Sequence, residues 1–210
     1  NQVQALSAKQ LNSLSTNQIS NFETNDITAI STSVISNLTT AALNSMTSKQ
    51  VGALTTAQTR ALKGVQISNL GNTQIKGLGT ASIAVLTTAQ VASLSSTTLG
   101  QLSTDQIQGL TSESISNLGT LQIAGLTSEQ FTALSSNQVG ALKASQLNTL
   151  DSAQLQGIET SDIAAISTST LTSLSSAQVD KLSSAQVAAL TTAQVSKLTL
   201  DQISNLGAAQ

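Results

Sequence analysis

From Ser7 to Leu206 the chain divides into 25 consecutive units of eight residues, without one insertion or deletion. The leading NQVQAL and the trailing GAAQ continue the same frame as partial units. A strict period of eight constrains the fold more than any other feature, because it fits neither the 3.6-residue period of a helix nor the two-residue period of a strand. With the positions numbered one to eight, position eight is apolar in all 25 units and position five in 24, Thr59 being the exception. Position one is Ser or Thr in 17 units, position two is Ser or Thr in 20, and position four is Gln in 17. Position seven is usually small or Asn. SSAQVAAL and TTAQVSKL, which run from Ser183 to Leu198, are two typical units.

A straight strand is a poor host for this pattern. Positions five and eight are three residues apart and then five to the next unit, both odd, so the two apolar residues would face opposite sides. A β-solenoid needs a corner inside every unit, and no position carries a fixed Gly or Asn to make one. A continuous helix also fails. Eight residues turn it through two revolutions plus about 80°, so the apolar stripe would circle the helix within a few units. The Ser/Thr load weakens such a helix further.

One short helix per unit satisfies every fixed position. Ser or Thr at position one and Gln at position four form a capping box, with position one as the N-cap and the glutamine at N3. Position five is then N4 and the preceding position eight is N′, which makes them the two members of a hydrophobic staple. The spacing predicts a helix from about position two to position seven. Small residues, Gly or Asn at position seven (Asn37, Asn69, Gly77, Gly109, Asn205) suit its end. Helices this short are not stable alone and must bury positions five and eight against neighbours. The expected fold is an all-α repeat solenoid, one capped helix per octapeptide, coiled into a superhelix with three or four octads per turn. Leu, Val and Ile would fill the axis, with Ser, Thr and Gln outside. A β-solenoid is the alternative.

The unbroken frame predicts a single continuous solenoid over residues 1–210, made of the 25 full repeats at 7–206 and the partial repeats at both ends. A slower echo lies on top of the octads. ETNDITAISTSVISNL from Glu23 returns as ETSDIAAISTSTLTSL from Glu159, 17 octads further on. This 136-residue echo marks either a duplicated block or a superhelical or assembly period. The chain starts without Met and enters and leaves the frame in mid-unit, which leads to the expectation of a piece of something longer.

Composition removes several classes of function. Charged residues are 9% of the chain and the net charge is −2, so no basic patch is expected, and two Phe are the only aromatics. Nucleic acid is therefore an improbable partner. No apolar run approaches a membrane span. Without Cys or His, thiolate and imidazole chemistry is excluded.

The remaining chemistry-bearing residues have structural readings. Glu23 with Asp26 and Glu159 with Asp162 occupy positions one and four. They suggest an acid/base pair or calcium ligands less well than a cap, where a negative charge at a helix N-terminus is favourable. Lys63 and Lys143 stand at position one, where a Ser–Lys dyad is conceivable but unsupported. Arg60 follows Thr59 at the one lapse of the apolar frame, where repeat decay is the simpler reading than a local contact. GNTQIKGLG, from Gly71 to Gly79, lacks the spacing of a phosphate loop, and Gly71 and Gly79 are position one of their octads. Rows of Thr and Ser resemble an ice-binding array only loosely, since Lys, Glu, Asp and Gly interrupt them. No residue is assigned to catalysis, to a cofactor or to a metal, and no enzyme activity is expected.

The phrases LTTAQVASL, LTSEQFTAL and LSSAQVAALTTAQVSKL resemble the octapeptide arrays of very large bacterial surface and secreted, adhesin-like proteins. The resemblance covers the whole chain. It implies an extracellular or cell-surface structural role, and it supplies no site residues. The resulting expectation is a structural protein that assembles with itself into a filament or sheath. The alternatives are a passive stalk within a large adhesin, or a solenoid face that binds glycan or ice.

Overall fold

The computed structural model describes residues 2–207 and is helical throughout. A 3-10 helix, Gln2–Ala5, precedes 25 α-helices of four to six residues, and no strand occurs among the described residues. Every α-helix begins at position two, as in Ala8–Asn12, Thr104–Gly109 and Ser184–Ala188. The helix is therefore a property of the octad and not of a local sequence, and the β-solenoid alternative is excluded.

The N-cap sits at position one in extended conformation, with φ −70° and ψ 158° at Ser183. Its hydroxyl accepts the N3 amide, as Ser103 Oγ does from Gln106 at 3.2 Å. The glutamine returns the bond, with Ser103 N–H donating to Gln106 Oε1 at 2.9 Å. Where an octad has both Ser or Thr at position one and Gln at position four in a capping box, as here, two of the four orphan amides of the helix start are satisfied in this way. At the other end the amide of position eight donates to the carbonyl of position five, as Leu54 does to Val51 at 3.2 Å. That tightened last turn closes the helix, and positions eight and one, both extended, then reverse the chain.

The helix end differs from the sequence expectation in one respect. No described residue, glycine included, has a positive φ, so no helix ends in a left-handed cap. Asparagine at position seven acts through its side chain instead: the amide groups of Asn37, Asn69, Asn117 and Asn205 donate to the carbonyl four residues earlier, at 2.7–2.8 Å. Glycine there permits close approach. A Cβ on Gly77 would lie 2.3 Å from the carbonyl oxygen of Ser48, on a helix three octads earlier.

The chain forms two compact units, Asn1–Leu110 and Thr111–Gln210. Within each, a helix packs on the helix three octads away, for example Ser48–Gly52 on Asn72–Ile75 and Ser128–Thr132 on Ser152–Gly157. Position five forms the centre: Ile27, Val51, Ile67, Ile107, Phe131 and Leu155 are all fully buried. Position eight packs around it, as Leu54, Leu94 and Leu142 show.

Candidate functional site

The expectation that glutamine lies outside is wrong. From Gln50 onward the position-four glutamines, half-buried Gln122 apart, are among the most buried residues of the molecule, at 2% exposure for Gln58 and Gln178. A primary amide can be buried only if its polar atoms find partners. Here they do. Besides the bond to its own N-cap through Oε1, Gln106 donates from Nε2 to the carbonyls of Ile75 at 2.9 Å and Leu78 at 2.7 Å. Those carbonyls belong to positions five and eight of the octad four units earlier. Gln66 takes Ile35 and Leu38, Gln146 takes Ile115 and Leu118, and Gln194 takes Ile163 and Ile166. Since helices pack three octads apart while the glutamines reach back four, a turn within each unit holds between three and four octads.

One side chain thus starts its own helix and fastens it to the end of another. It fills both amide hydrogens and one lone pair, and it gives the exposed carbonyls of a helix C-terminus a donor. This clasp is the element around which each unit is built.

The 136-residue echo is also visible in the bonding. In the octad from Thr39, position four is Ala42, so no glutamine can take the N-cap amide. Asn12, four octads earlier, does so instead: Thr39 N–H donates to Asn12 Oδ1 at 2.8 Å, while Asn12 Nδ2 donates to the Asn37 carbonyl. The counterparts in the second copy of the echo repeat both bonds, from Ser175 N–H to Asn148 Oδ1 and from Asn148 Nδ2 to the Ser173 carbonyl. There Gln178 is present, but its Oε1 accepts from Lys181 Nζ at 2.9 Å.

The acidic residues do not converge. Asp26 accepts from Glu23 N–H at 3.1 Å and completes a cap, as the sequence implied. Asp162 departs from it: it is buried, and its carboxylate accepts from the Ser136 hydroxyl. Among the described residues no three carboxylates come together as a metal would require. Glu23 and Thr47 border an open cleft of about 350 Å³, and Glu159 and Ser183, their counterparts in the echo, border one of about 470 Å³. Glu129, on the surface, has its carboxyl held below the usual range by a backbone N–H in the first turn and by the Thr127 hydroxyl.

Lys63 and Lys143 are exposed N-caps whose amides donate to Gln66 and Gln146. Gly71 and Gly79 are ordinary N-caps with negative φ, so GNTQIKGLG is repeat backbone. Thr59 is fully buried and its Oγ1 has no partner, while Arg60 is exposed. No described helix is long and apolar enough to cross a membrane.

A family model described as the ALTTAQ repeat matches residues 19–56, 35–64, 61–96, 115–144, 155–192 and 181–208, which together cover more than half of the chain. The motif stands verbatim at Ala53–Gln58 and Ala189–Gln194. It joins positions seven and eight of one octad to positions one to four of the next. No curated protein matches the chain.

Proposed function

The chain belongs to the ALTTAQ repeat family, and we propose that it is a non-catalytic structural protein that assembles with itself at the surface of a bacterium. The observation that carries this reading is the clasp. The glutamine of position four joins turn to turn, as Gln58 does on Ile27 and Ile30, and the Ser or Thr of position one caps the helix that carries it. The exterior is rich in Ser and Thr with scattered charges such as Arg60, Lys63 and Lys143, and among the described residues no three carboxylates converge there. In such repeat arrays stability grows with the number of stacked units, and any surface that ends the stack is a place for more. The location outside the cell rests on the likeness of the octads to those of large surface proteins. Electron microscopy of the purified chain at high concentration tests the reading: long fibres of constant width are expected, and single particles at every concentration would contradict it.

A second reading is a passive spacer within a larger adhesin. The even, chemically spare exterior favours it equally. The same micrographs separate the two, since a spacer stays monomeric.

A further inference from the structure

Each clasp reaches back four octads, so any cut across the stack is spanned by the position-four residues of the four octads that follow it. In the first unit the cut between Met46 and Thr47 is spanned by Gln50, Gln58, Gln66 and Gln74, and all four hold carbonyls on its far side. The cut between Leu78 and Gly79 is spanned by only two glutamines, Gln90 and Gln106. Ser82 and Thr98 occupy the other two places. Ser82 Oγ reaches the Leu54 carbonyl only at 3.5 Å, and the Thr98 hydroxyl pairs with Ser95 Oγ of its own octad at 2.8 Å. Ser93 Oγ adds one bond across this cut, to the Gly64 carbonyl at 3.0 Å. The second unit has the same contrast. Gln178, Gln186, Gln194 and Gln202 span the cut between Leu174 and Ser175. The cut between Leu142 and Lys143 has Gln146 and Gln154. There Asp162 takes the Ser136 hydroxyl in place of a clasp, and the Thr170 hydroxyl bonds within its own octad.

We infer that each unit contains a built-in joint, and that in the first unit it lies in the octads from Gly79 to Leu102, where every second clasp is missing. The apolar core runs through this stretch without a lapse, since Ile83, Leu86, Val91, Leu94, Leu99 and Leu102 are all buried. The turns here are therefore held by the same non-directional packing as elsewhere but by half the directional bonds. The helices on either side keep their own caps, as Thr87 with Gln90 and Ser103 with Gln106 show. Parting the turns at the joint thus leaves folded blocks behind, which is local opening and not unravelling. A stiff array with such joints flexes at set places and closes again. The inference goes beyond the structural role and holds for a filament and for a spacer alike.

Thiol labelling of the whole chain tests the joint, because the sequence has no cysteine of its own. Val51 and Val91 both stand at position five and both are fully buried. Val51→Cys places a single thiol beside the cut with four clasps, and Val91→Cys places one inside the joint. Under native conditions with excess thiol reagent, Val91→Cys should be labelled about tenfold faster or more, since it is reached by local opening. Thr98→Gln supplies a clasp onto the carbonyls of Ile67 and Leu70. Added to Val91→Cys, it should slow labelling about tenfold, while Val51→Cys keeps its rate. Circular dichroism equal to the parent's shows that the variants are folded. Should Val91→Cys fail to fold, side-chain amide exchange on the unsubstituted chain reads the same opening, with Gln90 Nε2 protons exchanging faster than those of Gln58. Equal labelling of the two cysteines, a Val91→Cys rate unmoved by Thr98→Gln, or equal exchange at Gln90 and Gln58 overturns the joint.

Discussion

Replacing Gln106 with Met would isolate the energy of the clasp. Met fills nearly the same volume, so packing is little changed. What is lost is the bond from Ser103 N–H at 2.9 Å and those to the carbonyls of Ile75 and Leu78 at 2.9 and 2.7 Å. Gln106 is 3% exposed, so water does not replace these partners freely. At roughly 1 kcal/mol for each net bond, the expected loss is about 3 kcal/mol. Ser103→Ala is the internal control. It removes the other half of the same capping box, the bond from Gln106 N–H to Ser103 Oγ at 3.2 Å, and should cost about 1 kcal/mol. Both changes sit in one octad, so fraying affects them alike. Urea denaturation followed by circular dichroism, at unchanged m-value, should separate them by about 2 kcal/mol. Equal losses would mean that glutamine acts only as a cap and that the clasp contributes nothing.

Three further substitutions probe departures from the repeat. Ser82→Gln restores a glutamine where only a long contact from Ser82 Oγ to the Leu54 carbonyl exists, and thermal denaturation should show a gain of about 1–2 kcal/mol. Thr59→Val removes the buried hydroxyl that has no partner and should stabilise by about 1 kcal/mol, read the same way. Gly77→Ala places a methyl 2.3 Å from a backbone oxygen and should cost more than about 2 kcal/mol, whereas Gly79→Ser, where a Cβ meets nothing within 4 Å, should cost nothing.

Much of the fold is legible in the octad because its signals are local. Ser103 and Gln106 make a capping box within four residues, as read, and Leu94 and Leu99, the apolar residues on either side of an N-cap, are both buried. The burial of glutamine is not legible from one octad, since the carbonyls that Gln106 takes, on Ile75 and Leu78, belong to a unit four octads earlier. A signal for it does exist. Glu serves a capping box as well as Gln and suits the positive end of a helix better. Yet position four is Gln in 17 octads and Glu in none. Only the need for an amide donor explains that preference. Gly77 misled for a related reason. Glycine after a helix suggests a left-handed cap, and nothing near it in sequence reveals that Ser48 comes against it. The divergence of Asp26 and Asp162 is equally non-local, because the Ser136 hydroxyl that holds Asp162 comes from an octad three units back.

Side-chain amide hydrogen exchange, followed by NMR on the Gln Nε2 protons, tests the clasp most directly. Gln58, Gln66, Gln106, Gln146 and Gln194 should exchange slowly, each held by two carbonyls, while Gln10 and Gln18 in the dilute monomer should exchange at the rate of free glutamine. Uniformly fast exchange at all of these positions would contradict the account.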